Sequence, residues 1–181
     1  MEPKLDAVVR YVDRLKPRLY LLVIASLFVA YILGVVIKPS ASYAITIQQE
    51  FNETEATAKE LAETNWLAGF SYAWLNTVFP LLPSLVPVYG LLHNAMQWVY
   101  LGIATRAVPS QAGVILEDVV MFTPLLSIPE TDGLLLALLL MDYARLRNQV
   151  LRSIIRRVVV SYITWLLIVI AVLSIIVAMA Y

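Results

Sequence analysis

The sequence predicts an all-α fold: a polytopic membrane helix bundle of about five transmembrane helices, the fourth of them discontinuous. Three observations predict it. Of 181 residues, 61% are hydrophobic and only 14% charged, against about 45–50% and about 25% in a soluble domain, which must present a polar surface to water. A chain of this size keeps much of its surface exposed whatever it buries, so the apolar excess points to lipid as solvent. Second, the apolar residues gather into runs near or above the ~20 residues that a helix needs to cross a ~30 Å hydrocarbon layer. Third, basic side chains concentrate in two short segments, the pattern that orients a membrane protein.

Composition also excludes. Thirteen basic and thirteen acidic residues leave no net charge, so nothing draws the chain toward nucleic acid. There is no cysteine, hence no disulfide, thiol chemistry or thiolate metal site. The single histidine, His93, cannot alone make a His-rich zinc site or a bis-histidine haem. No metal, cofactor or catalytic residue is expected. H-E-x-x-H, G-x-S-x-G and Walker A segments are missing too.

Residues 1–18 carry Lys4, Arg10, Arg14, Lys16 and Arg18, with Leu5, Val8, Val9, Val12 and Leu15 at helical spacing. They read as an amphipathic surface helix ended by Pro17. The uninterrupted apolar run 19–37 is the first transmembrane helix and is long enough to stay as an anchor, with no cleavable signal peptide evident. Residues 38–65 are polar and acidic, a water-exposed external helical segment; Asn52 to Thr54 fits the glycosylation sequon.

Residues 66–181 form a membrane core of four spans, at 66–82, 85–104, 114–144 and 158–181. The first two come from a stretch without formal charge, divided where Pro80, Pro83 and Pro87 cluster. The last two flank "RLRNQVLRSIIRR" (145–157), which holds Arg145, Arg147, Arg152, Arg156 and Arg157 and no acid. Basic loops stay inside. The N-terminus and 145–157 are therefore cytoplasmic, whereas 38–65 and the C-terminus are external, in a multi-pass cell-membrane protein. Arg106 falls outside against that rule.

The fourth span contains "FTPLLSIPETDGLLLALLLMD" (122–142). Ser127 and Glu130 fit a capping box, with Pro129 in the first turn and Glu130 and Asp132 at the positive end of the helix dipole. A helix is expected to start there. Leu134 to Met141 covers only about 12 Å, so the membrane must also take up 119–128. The span would then break between Pro124 and Pro129, its acids facing the bundle interior or a wet cavity. A second reading stays open: the helix from Ser127 crosses alone, with both acids at the outer interface.

Besides Thr123, the further polar residues at hydrophobic depth are Asn76, His93, Asn94 and Gln97, and His93 and Gln97 share a helix face. With Glu130 and Asp132 they make a candidate intramembrane polar site, either a proton or ion relay or interhelical hydrogen-bond glue.

This order of features resembles the stage II sporulation protein M family of multi-spanning membrane proteins. That family has one N-terminal span, an external helical segment, an Asn-containing span, a Pro- and Gly-punctuated stretch leading to Asn-Gly, and a "PHGxxE"-like segment before an Arg-rich loop and a last span. The corresponding residues are Asn76; Pro87 and Gly90; Asn94 with Ala95; and Pro124 through Glu130. Asn-Gly stands here as Asn-Ala and Pro-His-Gly as Pro-Leu-Leu, with one more residue between proline and glutamate. The resemblance implies a scaffold in a membrane complex.

The function expected is therefore a non-enzymatic integral membrane subunit or scaffold of an envelope or transport complex. The alternative is a small ion- or proton-coupled transporter or channel whose path passes Glu130, Asp132 and His93; a remote third is an intramembrane hydrolase using the carboxylates. Expected partners are the lipid bilayer and membrane proteins or a second copy of the chain, not nucleic acid.

Overall fold

The computed structural model describes residues 2–79, 83, 86–146 and 149–180, with the backbone alone at 2–9, 51, 55, 145, 146, 149, 150 and 180. Six α-helices account for nearly all of them: α1 (Glu2–Val36), α2 (Ala41–Thr64), α3 (Trp66–Val78), α4 (Tyr89–Ala107), α5 (Ala112–Leu146) and α6 (Gln149–Ala180). No strand occurs among the described residues. Three helical stretches are long and apolar enough to cross a membrane: Arg10–Val36, Pro109–Ala144 and Leu151–Met179. Their outward faces expose Leu21, Leu22, Ile32, Leu33, Ile163, Leu167 and Met179. So much contiguous apolar surface is foreign to a soluble monomer and compatible with a membrane location.

Two sequence-based expectations are corrected. Pro17 does not end a surface helix, since α1 runs through it as one element. The apolar side of the N-terminal segment is spent on protein: Val12, Leu15 and Leu19 pack against a core of Leu135, Leu136, Leu139, Leu151, Ile154 and Val158 from α5 and α6. Leu5, Val8 and Val9 lie outside the described side chains. Nor does the segment expected as a discontinuous fourth span break, because α5 is helical through both Pro124 and Pro129. Ser127 therefore caps nothing; its hydroxyl donates back to the Thr123 carbonyl at 2.7 Å.

A proline inside a helix removes one i→i−4 bond and crowds the carbonyl four residues back, at a cost of about 3 kcal/mol or more. In α5 the carbonyls that lose their partners are those of Val120 and Leu125, four residues before Pro124 and Pro129. Hydroxyls at every fourth position donate to carbonyls one turn back: Thr123 to Val119 at 2.5 Å, Ser127 to Thr123, and Thr131 to Ser127 at 2.6 Å. Tyr20 of α1 adds a bond to the Pro124 carbonyl at 3.3 Å.

α1, α4 and α6 pack around α5. It is antiparallel to α1, since Lys16 meets Asp132 and Tyr20 meets Pro124, and antiparallel to α6, which follows it. α4 lies along α1 and ends beside it, where Arg106 bonds the Val35 carbonyl at 3.3 Å and Tyr31 meets Thr105 at 3.1 Å. The two backbones touch at Gly34 and Gly102: a Cβ on Gly34 would run into the Val99 carbonyl, and one on Gly102 into that of Tyr31. α2 and α3 form a hairpin. Its joint is Asn65, whose side chain accepts from the Leu67 N–H at 3.0 Å, and Gly69 closes tightly on Ala62.

α4 starts at Tyr89 rather than near 85 and ends at Ala107 rather than 104, whereas α3 is Trp66–Val78 and its expected end at 82 lies outside the described residues. Of the prolines expected to divide these helices, Pro80 lies outside the described residues. The start of α4 is set by Val88, whose φ of 70° is a strained conformation for a β-branched residue.

Candidate functional site: a buried polar cluster around the middle of α5

The apolar pattern of α5 changes along its length. Between Val114 and Met121 several side chains stay exposed, and so do Leu138, Leu140 and Met141. From Leu126 to Leu136, by contrast, no residue is exposed. A helix buried all round is enclosed by other helices rather than by lipid on one side. The polar residues fall in or beside this stretch: Thr123, Ser127, Glu130, Thr131 and Asp132 are all buried.

Glu130 is 1% exposed and Asp132 0%. Neither is in bulk water. Burying a carboxylate without compensation is prohibitive, so it must be paired or hydrogen-bonded, and both are. Asn94 of α4 donates its side-chain N–H to Glu130 Oε1 at 2.7 Å. Ser161 of α6 donates its hydroxyl to Asp132 Oδ2 at 2.5 Å. Lys16 of α1 places its ammonium 2.6 Å from Asp132 Oδ1. That contact is held by charge rather than by a directed hydrogen bond. The Lys16 side chain remains 40% exposed, its stem along the bundle and its head near water.

Three helices thus converge on two residues of α5. Thr123 takes a further bond from Trp98 Nε1 at 2.8 Å, tying α4 to α5 two turns from Glu130. Tyr162, buried on α6, lies within electrostatic reach of Glu130. At Gly133 a Cβ would stand 3.4 Å from the Tyr162 ring and 3.5 Å from the Pro87 backbone. The segment leading into α4 therefore arrives at the same level.

Among the residues expected to share this site, the structure brings together Asn94, Glu130 and Asp132. His93 and Gln97 occupy a neighbouring face of α4, their Nε2 atoms 3.4 Å apart, and the His93 ring stacks on Tyr89 with centroids 6.4 Å apart. Asn76 belongs elsewhere: it is exposed on α3, and its amide donates to the Tyr72 carbonyl at 2.9 Å.

Sequence reasoning missed Lys16, Ser161 and Tyr162. Lys16 counts among the basic N-terminal residues and carries no mark separating it from Arg14 or Arg18. Ser161 does leave a signal, as a small polar residue inside an otherwise apolar segment. So does Thr131, which shares one helix face with Ser127 and Thr123 at four-residue spacing.

An open cavity of about 220 Å³ reaches Asp132 from the side of α1 and α6, lined by Val12, Asp13, Lys16, Leu135, Arg157, Ser161 and neighbouring aliphatic groups. No cluster of three or more potential metal-ligating side chains is found among the described residues. No family model matches the chain, and neither the curated proteins nor the solved structures contain a match.

Proposed function

We propose that the chain is a multi-pass integral membrane protein that serves as a non-enzymatic subunit or scaffold of a membrane complex, with the buried carboxylates acting as an interhelical clamp. One observation carries this reading: the described bonds of Glu130 and Asp132 run to three other helices, through Asn94, Lys16 and Ser161. In the absence of a hydrophobic force between helices in lipid, polar side chains of this kind hold a bundle in register. The order of features shared with the stage II sporulation protein M family supports the same role.

About five crossings, N-terminus inside and C-terminus outside, suit these contacts. Trp74 of α3 donates to Ser174 of α6 at 2.7 Å, and Ser174 lies about 20 Å along the helix from Ser161. Pro87 meets Gly133 at the level of Asp132, and Arg106 ends beside Val35. The stretch 66–107 therefore passes from one end of the bundle toward the other and returns. α3 and α4 together then supply two crossings that neither the length of α3 nor the polarity of α4 announces.

Proton- or ion-coupled transport is the second reading, favoured by the open cavity that reaches Asp132. One experiment separates them. The purified protein is reconstituted into liposomes, and proton, sodium or potassium gradients are imposed while an internal pH- or ion-sensitive dye is followed. A scaffold leaks no faster than empty vesicles. Flux above that background, abolished by Glu130→Gln, would establish the carrier instead.

A further inference from the structure

The cavity beside Asp132 has walls of two kinds. α1 contributes Val12, Asp13 and Lys16, one face of a helical turn; α6 contributes Ile154, Arg157, Val158 and Ser161; and α5 closes the floor with Asp132 and Leu135. Lys16 and Asp132 neutralise each other. Asp13 and Arg157 remain, both exposed at the mouth, and neither has an ion-pair partner among the described residues. One fixed negative and one fixed positive charge, set over an aliphatic wall, complement a ligand bearing both charges on an apolar body.

Position narrows the ligand further. Lys16 lies about 30 Å along α1 from Val36, the thickness of the hydrocarbon layer, so the mouth stands at headgroup level. Around it the same end of the bundle carries Arg10, Arg14, Arg18, Arg152 and Arg156. Basic pockets between helices on the cytoplasmic side are where phosphate-bearing headgroups dock. The cavity volume is below the about 300–1,000 Å³ usual for drug-sized ligands, so it accepts a headgroup and the first carbons of its tail rather than a whole lipid.

We propose that this cavity seats the headgroup of an aminophospholipid. The phosphate lies against Arg157, the ammonium faces Asp13, and the glycerol end runs along Val12, Leu135, Ile154 and Val158. The two opposite charges at the mouth select a zwitterion over a purely anionic lipid. This inference rests on the membrane placement proposed above, yet it is tested in detergent, where its failure leaves the crossing pattern untouched.

The test is native mass spectrometry of the purified protein titrated with phosphatidylethanolamine, phosphatidylglycerol and free phosphoethanolamine. The expected result is one saturable phosphatidylethanolamine adduct, with phosphatidylglycerol bound about tenfold more weakly, the loss that one missing charge-assisted contact produces. Arg157→Gln weakens both lipids. Asp13→Asn keeps phosphatidylglycerol binding and erases the preference. Both substituted residues are exposed, so the fold is not at stake. Equal retention of the two lipids by the unsubstituted protein, or undiminished phosphatidylethanolamine retention in Arg157→Gln, overturns the assignment. Free phosphoethanolamine binding as well as the lipid overturns its lipid part.

Discussion

Lys16 and Asp132 are the residues at which charge and burial are in sharpest tension. A lysine side chain that is 40% exposed holds a carboxylate that is almost fully enclosed, so removing either partner does not cost the same. Lys16→Met leaves Asp132 buried without its counter-charge. Breaking a fully buried pair in this way costs about 3–5 kcal/mol; with Lys16 partly in water, about 1–3 kcal/mol is expected. Asp132→Asn costs less, since the freed ammonium can turn to solvent and the amide can still bond Ser161. The double variant should recover most of the Lys16→Met loss. Thermal or denaturant unfolding in detergent measures all three, and strictly additive losses would show that the pair is no clamp.

At the scale of elements, the contact between α1 and α4 depends on the missing side chains of Gly34 and Gly102. Small residues at such crossings let backbones approach closely, the packing that lipid-embedded helices rely on. A methyl group at either glycine must push the helices apart, because the atoms it meets belong to the backbone and cannot rotate away. Gly102→Ala is expected to destabilise by about 1–3 kcal/mol, and Gly102→Leu by more. Gly113, where an added Cβ meets nothing within 4 Å, is the control: Gly113→Ala should leave the melting temperature unchanged or slightly higher. Separation at Gly102 also draws Asn94 from Glu130, since both positions lie on α4.

At the scale of the whole molecule, the proposed membrane placement raises the question of how many crossings the chain makes. It lacks native cysteine, so any thiol introduced is the only one to label. Ser42, Val88 and Ser153 are exposed positions on α2, before α4 and on α6. With a membrane-impermeant maleimide on intact cells, Ser42→Cys should label directly. Val88→Cys and Ser153→Cys should label only after permeabilisation. That outcome puts the turn before α4 on the cytoplasmic side and makes 66–107 a double crossing. If Val88→Cys labels from outside, that stretch never reaches the inner face and three crossings remain.

The helical class, the apolar runs at 19–37 and 158–181 and the polar character of 38–65 could be read directly, because composition and periodicity are local properties that neighbours do not alter. Glu130, Asp132 and Asn94 could be singled out for the same reason: an ionisable or amide group amid leucine is conspicuous wherever it ends up. Tertiary structure alone decided the rest. Pro17, Pro124 and Pro129 carry a local instruction to stop, and the packing of the surrounding helices overrules it. Ser127 and Glu130 fit a helix cap in one dimension and become mid-helix residues once α1, α4 and α6 close around them. Lys16 and Ser161 stand more than a hundred residues apart in opposite halves of the chain, and nothing along it says that they meet at Asp132. That meeting is set by how the helices pack, since the burial that makes a lone carboxylate intolerable exists only after the bundle has formed.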